Sequence, residues 1–195
     1  MNEPPLALDP AAARRVRIMA FDVDGVLTDN AVFLGVVNGT RAEFKRFDIQ
    51  DGLGMSILRR RGILLAWVSG RFSEATELRA RELDIPELVQ DSSARKVPAM
   101  EAMLARHAIS WDEVAFVGDD LADLPVLRRV GVPIAVANAV PEVKAVASFV
   151  TAARGGQGAV REAIEALLRA RGEWEAGVRQ YLEDRGEDAG YLATR

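Results

Sequence analysis

Cysteine is absent from the 195 residues, which excludes a disulfide framework, a thiolate nucleophile and a Cys-ligated zinc. There is one histidine, His107, and it falls near the end of a surface-helix pattern. Nothing around it supports a Ser-His-Asp triad or a histidine-based phosphoryl mechanism. Lysine is scarce, at Lys45, Lys96 and Lys144 only, so a lysine inside a motif carries more weight than usual. No apolar run reaches membrane-spanning length, and Met1 to Pro10 lacks a basic segment followed by an apolar one. The cytoplasm is the expected compartment. A net charge of −4 gives no general attraction to nucleic acid or to anionic membranes, and neither is expected as a partner.

What is present is ordinary in bulk, with 49% hydrophobic and 28% charged residues, and it supports one well-cored domain. Residues 1–13 read as a flexible, Pro-containing lead-in, 14–171 as a single domain, and 172–195 as a helical tail. An apolar strand from Val16 to Phe21 opens the domain. Residues 31–47 then read as a β-hairpin, with Asn38-Gly39 as the turn signal between Ala31-Val32-Phe33-Leu34 and an arm carrying Phe44 and Phe47. Further strands are expected at 63–68, near 88–89, and at 114–117, 133–136 and 148–150. Helices are expected at 52–61, 73–83, 97–107, 121–129, 142–147 and 157–170. Strand and helix alternate, and several strands are apolar on both faces. That pattern indicates α/β architecture: a doubly wound, Rossmann-like parallel sheet with a hairpin flap after the first strand and no cap domain.

Polar residues cluster where strands end. Asp22 and Asp24 follow the first strand, Ser69-Gly70-Arg71 the second, Lys96 lies beyond the third, and Asp119, Asp120 and Asp123 follow the fourth. In an open parallel sheet, ligands bind beyond the carboxyl ends of the strands, where strand order reverses. With an order of 3-2-1-4-5, these groups share one crevice. So many carboxylates repel one another unless a cation holds them, and the economical reading is a hard ion, Mg²⁺, serving chemistry on a phosphate. One carboxylate can attack phosphorus, and a second, two residues on, can give and take the proton. Ser69 and Lys96 can neutralise phosphoryl oxygens. Taken singly, each group has a plain alternative: Asp-x-Asp as a turn, Ser69 as a helix cap, Lys96 as a solvated helix start, Asp119-Asp120 as the cap of the next helix. Their convergence on one sheet edge is the signal. The glycines of Gly155-Gly156-Gln157-Gly158 could form an anion nest, a weak indication by itself.

Asp22-Val23-Asp24-Gly25-Val26-Leu27-Thr28, Ser69-Gly70-Arg71, Lys96 and Gly118-Asp119-Asp120-Leu121-Ala122-Asp123 resemble, in order, the four motifs of the haloacid dehalogenase superfamily. Asp48 to Gly54, Asp120 to Pro125, Ala135 to Pro141 and Gly155 to Glu162 look like its capless branch, the sugar-acid phosphate phosphatases. The resemblance covers about residues 14–171. It implies a phosphatase for a 2-keto-3-deoxy sugar acid, with octulosonate 8-phosphate the first choice and nonulosonate 9-phosphate the second. Asp22 would be the nucleophile, Asp24 the acid/base, and Asp22, Asp119 and the backbone carbonyl of Asp24 the Mg²⁺ ligands. Asp120 and Asp123 would be supporting residues, and Gly25, Gly70, Arg71 and Arg79 would bind phosphate or substrate, the two arginines being candidates for the sugar carboxylate. The branch also implies a homotetramer built through the 31–47 hairpin, with Val32, Phe33, Leu34, Val36, Val37, Phe44 and Phe47 as its apolar surface. Trp174, Val178, Tyr181 and Leu182 form a stripe that would dock the tail, either over a neighbour's site beside Gly155-Gly156 or on its own subunit. Three departures stand out: Gln50 where arginine is common, one extra residue between Gln90 and Lys96, and a tail of about 24 residues after Arg171.

Three other functions compete. A phospho-receiver signalling domain would carry its acceptor aspartate after the third strand, where this chain has only Asp91. A dehalogenase would not need Asp24 or the full acidic cluster. A non-catalytic assembly module would not need every catalytic position filled, as it is here.

Overall fold

The strand Ile18–Phe21 (β1) has no solvent exposure along its whole length, and the rest of the sheet is arranged around it. The structure, a computed structural model, describes residues 7–186. β1 pairs in parallel with Leu64–Ser69 (β4) on one side and Val114–Gly118 (β6) on the other. Glu87–Gln90 (β5) extends the β4 side. Val132–Ala135 (β7) and Phe149–Val150 (β8) extend the β6 side. The resulting order is β5-β4-β1-β6-β7-β8, all parallel, so the expected 3-2-1-4-5 arrangement is present with the sixth strand added at the edge. Phe33–Val37 (β2) and Thr40–Phe44 (β3) form a separate antiparallel hairpin through Asn38-Gly39, both at positive φ. That backbone matches the natural twist of a two-residue hairpin turn.

The helices cover the sheet in two groups. Pro10–Arg15 (α1), Ile49–Arg60 (α2), Ala159–Arg171 (α7) and Trp174–Glu183 (α8) pack on one another. Lys96–His107 (α4), Leu124–Leu127 (α5) and Pro141–Lys144 (α6) form the second group. Glu74–Glu82 (α3) lies against β3. Local chemistry sets these boundaries. Asp48 accepts the Gln50 N–H at 2.7 Å, so α2 begins at Ile49, three residues before the expected start. The helix expected over 121–129 divides into a 3₁₀ turn, Leu121–Asp123, and the short α5. Asp120 caps the first piece, and Pro125 stands at the opening of the second.

Two expectations need correction. Residues 1–13 do not form a flexible lead-in throughout, because Asp9 caps α1, and Leu8 and Ala13 are buried, with α1 against α7. Phe47 is not part of the hairpin's open surface: it bridges to Thr28 and stacks on Trp67 at 6.2 Å. Of the two placements open for the tail's apolar stripe, the structure has the one on its own subunit, with Trp174 buried and α8 against α2 and α7. Residues 1–6 and 187–195 lie outside the described residues.

Asp51 ties α2 to α7. Its Oδ1 accepts the Arg161 N–H at 2.8 Å in the first turn of α7, while its Oδ2 is buried without a hydrogen-bond partner. Burial pushes this carboxyl up to about 7, with Asp48 adding to the rise and the helix N–H groups opposing it. A carboxyl whose folded value is raised holds its proton longer in the folded state than in the unfolded chain. Stability then falls as pH climbs from the ordinary aspartate value toward 7. Asp51→Asn, which keeps the acceptor and removes the ionisation, should therefore flatten the decline in melting temperature between pH 5 and pH 8. An unchanged pH profile would show that Asp51 ionises freely in the folded protein.

Candidate active site

The acidic residues reach the site from strand ends, and the lysine from a helix start. Asp22 leaves β1, and its backbone N–H is held by Val117 O of β6 at 2.9 Å. Asp119 leaves β6, and Lys96 is the first residue of α4. The Lys96 Nζ lies 2.5 Å from Asp22 Oδ1 and 2.6 Å from Asp123 Oδ1, and all three residues are buried. Asp123 Oδ2 accepts the backbone N–H groups of Asp119 and Asp120. Asp123 is thus fully engaged, orienting Lys96 and closing the turn after β6. The stretch before Lys96 forms a tight turn, with Ser93 on Asp91 and Ala94 at φ 56°. Asp91, where a receiver would carry its acceptor, is spent on that turn.

Asp22, Asp119 and Asp123 each offer a carboxylate oxygen within 4.8 Å of the others. Fully ionised, the three carboxylates against one lysine ammonium would leave two net negative charges, which a divalent cation would cancel. Burial, followed by the charge of Asp123, raises Asp22 to about 6, and Lys96 opposes the rise. Burial, then Asp22 and Asp123, raise Asp119 to about 8. Asp119 Oδ1 is buried and has no hydrogen-bond partner. An unsatisfied buried carboxylate oxygen facing a second acid fits a hard cation with oxygen ligands. Because both Asp123 oxygens are engaged, Asp22 and Asp119 are the side chains best placed to hold it.

The loop carrying Asp24 is shaped by close approach. Gly25 sits at φ +92°, and a Cβ there would lie 2.0 Å from Asp119 Oδ2, so any side chain would collide with the acidic cluster. Behind it, Gly155 passes so near that its own Cβ would lie 1.8 Å from Gly25 O. Asn138 joins the two, donating to Gly25 O at 2.9 Å and accepting from Gly155 N at 2.6 Å. The Gly156 N–H donates to Val26 O. These N–H groups are used internally, so Gly155-Gly156 buttresses the loop and is not an anion nest.

A cleft of ≈ 200 Å³ is lined by Asp22, Asp24, Gly70, Arg71, Lys96, Asp119, Asp120 and Asp123, with Asn30 and Ala122 completing it. Larger grooves elsewhere lack this acidic cluster, among them one of ≈ 470 Å³ between the N-terminal segment and α7. Asp120 caps the following turn, accepting the Leu121 N–H at 2.7 Å. Ser69 is buried just outside the lining, its hydroxyl donating to Arg71 O and accepting from Arg71 N. Arg79 is not in this cleft: it pairs with Glu82 at 2.8 Å and packs beside Gly52. His107 binds Glu87 near the end of α4, remote from the chemistry.

Several residues at the site carry no sequence-based assignment. Lys45 contacts Asp24 at 2.7 Å. Glu43 takes both arms of Arg71, at 3.1 and 2.7 Å, and the Ser73 hydroxyl at 2.6 Å. Burial opposes ionisation of Glu43, but the hydrogen bonds from Arg71 and Ser73 outweigh it and hold the carboxyl below its ordinary value. The only sequence signal for Lys45 is the scarcity of lysine. For Glu43 it is its place two residues earlier on the same strand face.

The family model for haloacid dehalogenase-like hydrolases matches residues 58–164. The 3-deoxy-D-manno-octulosonate 8-phosphate phosphatase of Escherichia coli (strain K12) is 40% identical over 172 residues, covering 88% of this chain and 89% of that protein. Its Yersinia pestis counterpart is 37% identical over 166 residues, 85% of this chain and 87% of that one. Among solved structures, the Moraxella catarrhalis phosphatase of the same name, in complex with magnesium ion, phosphate ion and KDO, aligns with a TM-score of 0.81. It is 35% identical and is covered over 97% of its chain and 88% of this one. The cobalt-bound Haemophilus influenzae enzyme aligns at 0.77 with 32% identity, over 94% of its chain and 85% of this one. With this fold, these motifs in order and this acidic cleft, the chain belongs to the haloacid dehalogenase-like hydrolases and is a phosphoric monoester hydrolase.

Proposed function

We propose that this protein is a Mg²⁺-dependent phosphatase that hydrolyses the phosphate monoester of a 2-keto-3-deoxy sugar acid. Octulosonate 8-phosphate is the first choice, as in the relatives, and a nonulosonate 9-phosphate the second. The observation that carries the reading is the buried Asp22–Lys96–Asp123 chain beside the unsatisfied Asp119, with Asp24 on the same cleft. When bound by Asp22, Asp119 and the Asp24 carbonyl, Mg²⁺ supplies charge neutralisation for the phosphoryl oxygens. An Asp22 carboxylate oxygen forms a bond to phosphorus as the sugar oxygen leaves, and Asp24 protonates that oxygen. Asp24 then takes a proton from water as the water oxygen attacks the aspartyl-phosphate, which frees phosphate and regenerates Asp22. Lys96 fixes the Asp22 carboxylate and balances charge. Ser69 sets the shape of the Gly70-Arg71 loop, since its hydroxyl is already bonded to Arg71.

Asp22→Asn should fold and lose phosphate release by more than roughly a thousandfold, because an amide is a poor nucleophile. Addition of Mg²⁺ should raise the melting temperature of the protein, and Asp119→Asn should remove that rise. Near-normal turnover in Asp22→Asn would overturn the covalent route. Activity that survives exhaustive chelation would overturn the metal assignment.

Arg71 is the candidate for the sugar carboxylate, since it lines the cleft and stays partly exposed there while Glu43 holds its terminal nitrogens in place. Arg71→Ala should raise KM for octulosonate 8-phosphate by roughly tenfold or more, the scale of a charged hydrogen bond, and leave KM for p-nitrophenyl phosphate near normal. Equal effects on both substrates would remove this assignment. Arg79, turned to Glu82, has no part in this reading.

Assembly follows from the hairpin. Val32, Phe33, Leu34, Val36, Val37 and Phe44 are all exposed, with Val36 at 74%, on a ribbon that has no third strand among the described residues. Such a surface favours burial against other copies, and a homotetramer through four hairpins is the proposed form. Light scattering at micromolar concentration should report four subunits, and a monomer would refute the proposal.

A further inference from the structure

Lys45 follows directly on β3, the exposed ribbon strand, yet its side chain is fully buried. A lysine at such a place ordinarily runs its stem over apolar surface and keeps its ammonium in water. Here the ammonium is enclosed by three oxygens: Asp24 Oδ1 at 2.7 Å, Thr76 Oγ1 at 3.2 Å and Glu43 Oε1 at 3.9 Å. Burial of a charge is tolerated only when partners of this kind surround it. The contact fixes one oxygen of Asp24. Oδ1 is buried in ion-pair contact with Lys45, without the geometry of a hydrogen bond, while the Asp24 side chain as a whole keeps 21% exposure on the cleft. Oδ2 is therefore the oxygen left for a reacting group.

Glu43 and Lys45 lie two residues apart and so share one face of the strand. Glu43 holds Arg71 and Ser73, beyond β4, and Lys45 holds Asp24, beyond β1. The hairpin thus grips both lips of the cleft. Resting on the reading of Asp24 as the proton donor and acceptor, we propose that Lys45 is its positioning residue, delivered by the hairpin to aim Oδ2 at the leaving oxygen. Proton transfer requires heavy atoms within about 2.6–3.2 Å of one another. A carboxylate free to rotate would satisfy that only part of the time.

The test compares two leaving groups through kcat/KM, which covers the steps up to release of the alcohol. An alkyl phosphate such as octulosonate 8-phosphate needs its leaving oxygen protonated, whereas p-nitrophenolate leaves without a proton. Lys45→Met should lower kcat/KM for the sugar phosphate on the order of a hundredfold and leave p-nitrophenyl phosphate within about fivefold, within the range of a general acid's contribution. Asp24→Asn should show the same selectivity, and the double variant should lose little beyond Asp24→Asn alone. If Asp24→Asn is selective and Lys45→Met lowers both substrates equally, or neither, the role of Lys45 is overturned while that of Asp24 stands. If Asp24→Asn is itself unselective, the acid/base reading falls and the proposal falls with it. Should Lys45→Met fail to fold by circular dichroism, Lys45→Gln takes its place, and an equal loss on both substrates in that variant is likewise fatal.

Discussion

Lys96 set between Asp22 and Asp123 is the contact on which the rest of the site depends. Three carboxylates are buried at the ends of β1 and β6, where solvent cannot screen them, and the protein supplies one fixed cation among them. Loss of one member of such a buried group costs about 3–5 kcal/mol, because the charges left behind have no water to turn to. That magnitude rivals the net stability of a small domain. The arrangement of α4, whose first residue is this lysine, and of the turn closed by Asp123 is therefore bound to the electrostatics of the cleft. The remaining negative charge is what makes the cleft receptive to a divalent ion and, through it, to a phosphate.

Around this charge cluster the backbone is packed with little tolerance. Gly25 leaves room for Asp119, Gly155 leaves room for Gly25, and Asn138 bonds both. Asp51 anchors the start of α7, which directly follows the Gly155–Gly158 loop. Positioning of the loop after β1 thus passes through segments more than a hundred residues away in the chain. The hairpin closes the other side through Glu43 and Lys45.

The sheet was legible in the sequence because its signal is local. Apolar runs of strand length, separated by helix-length segments, dictate parallel order with little ambiguity. The acidic cluster and Lys96 were legible for a related reason: each falls just past a strand end, and topology brings strand ends together. The remainder depended on long-range contacts that leave no periodic trace. Lys45 looks like one more polar residue of a solvent-exposed ribbon, and only its neighbours Thr76 and Asp24 reveal it as buried. Arg79 reads as a plausible carboxylate ligand until Glu82, three residues along the same helix, is seen to hold it. Gly155-Gly156 suggests a nest by composition, but its N–H groups face Asn138 and Val26. The tail's stripe was visible as amphipathic, whereas its partner could not be: a helical stripe records that something covers it and not which surface does.

The position of β1 has a consequence for biosynthesis. The strand that delivers Asp22 precedes both its sheet neighbours, Leu64–Ser69 and Val114–Gly118, in the chain, and the Gly155 support comes later still. A growing chain therefore exposes its most apolar strand through much of synthesis, and ordering of the site waits for contacts of long sequence separation. Such non-local topology slows folding relative to a chain of nearest-neighbour contacts. A fragment that stops short of Gly155 carries Asp22 without the contacts that seat the loop after it.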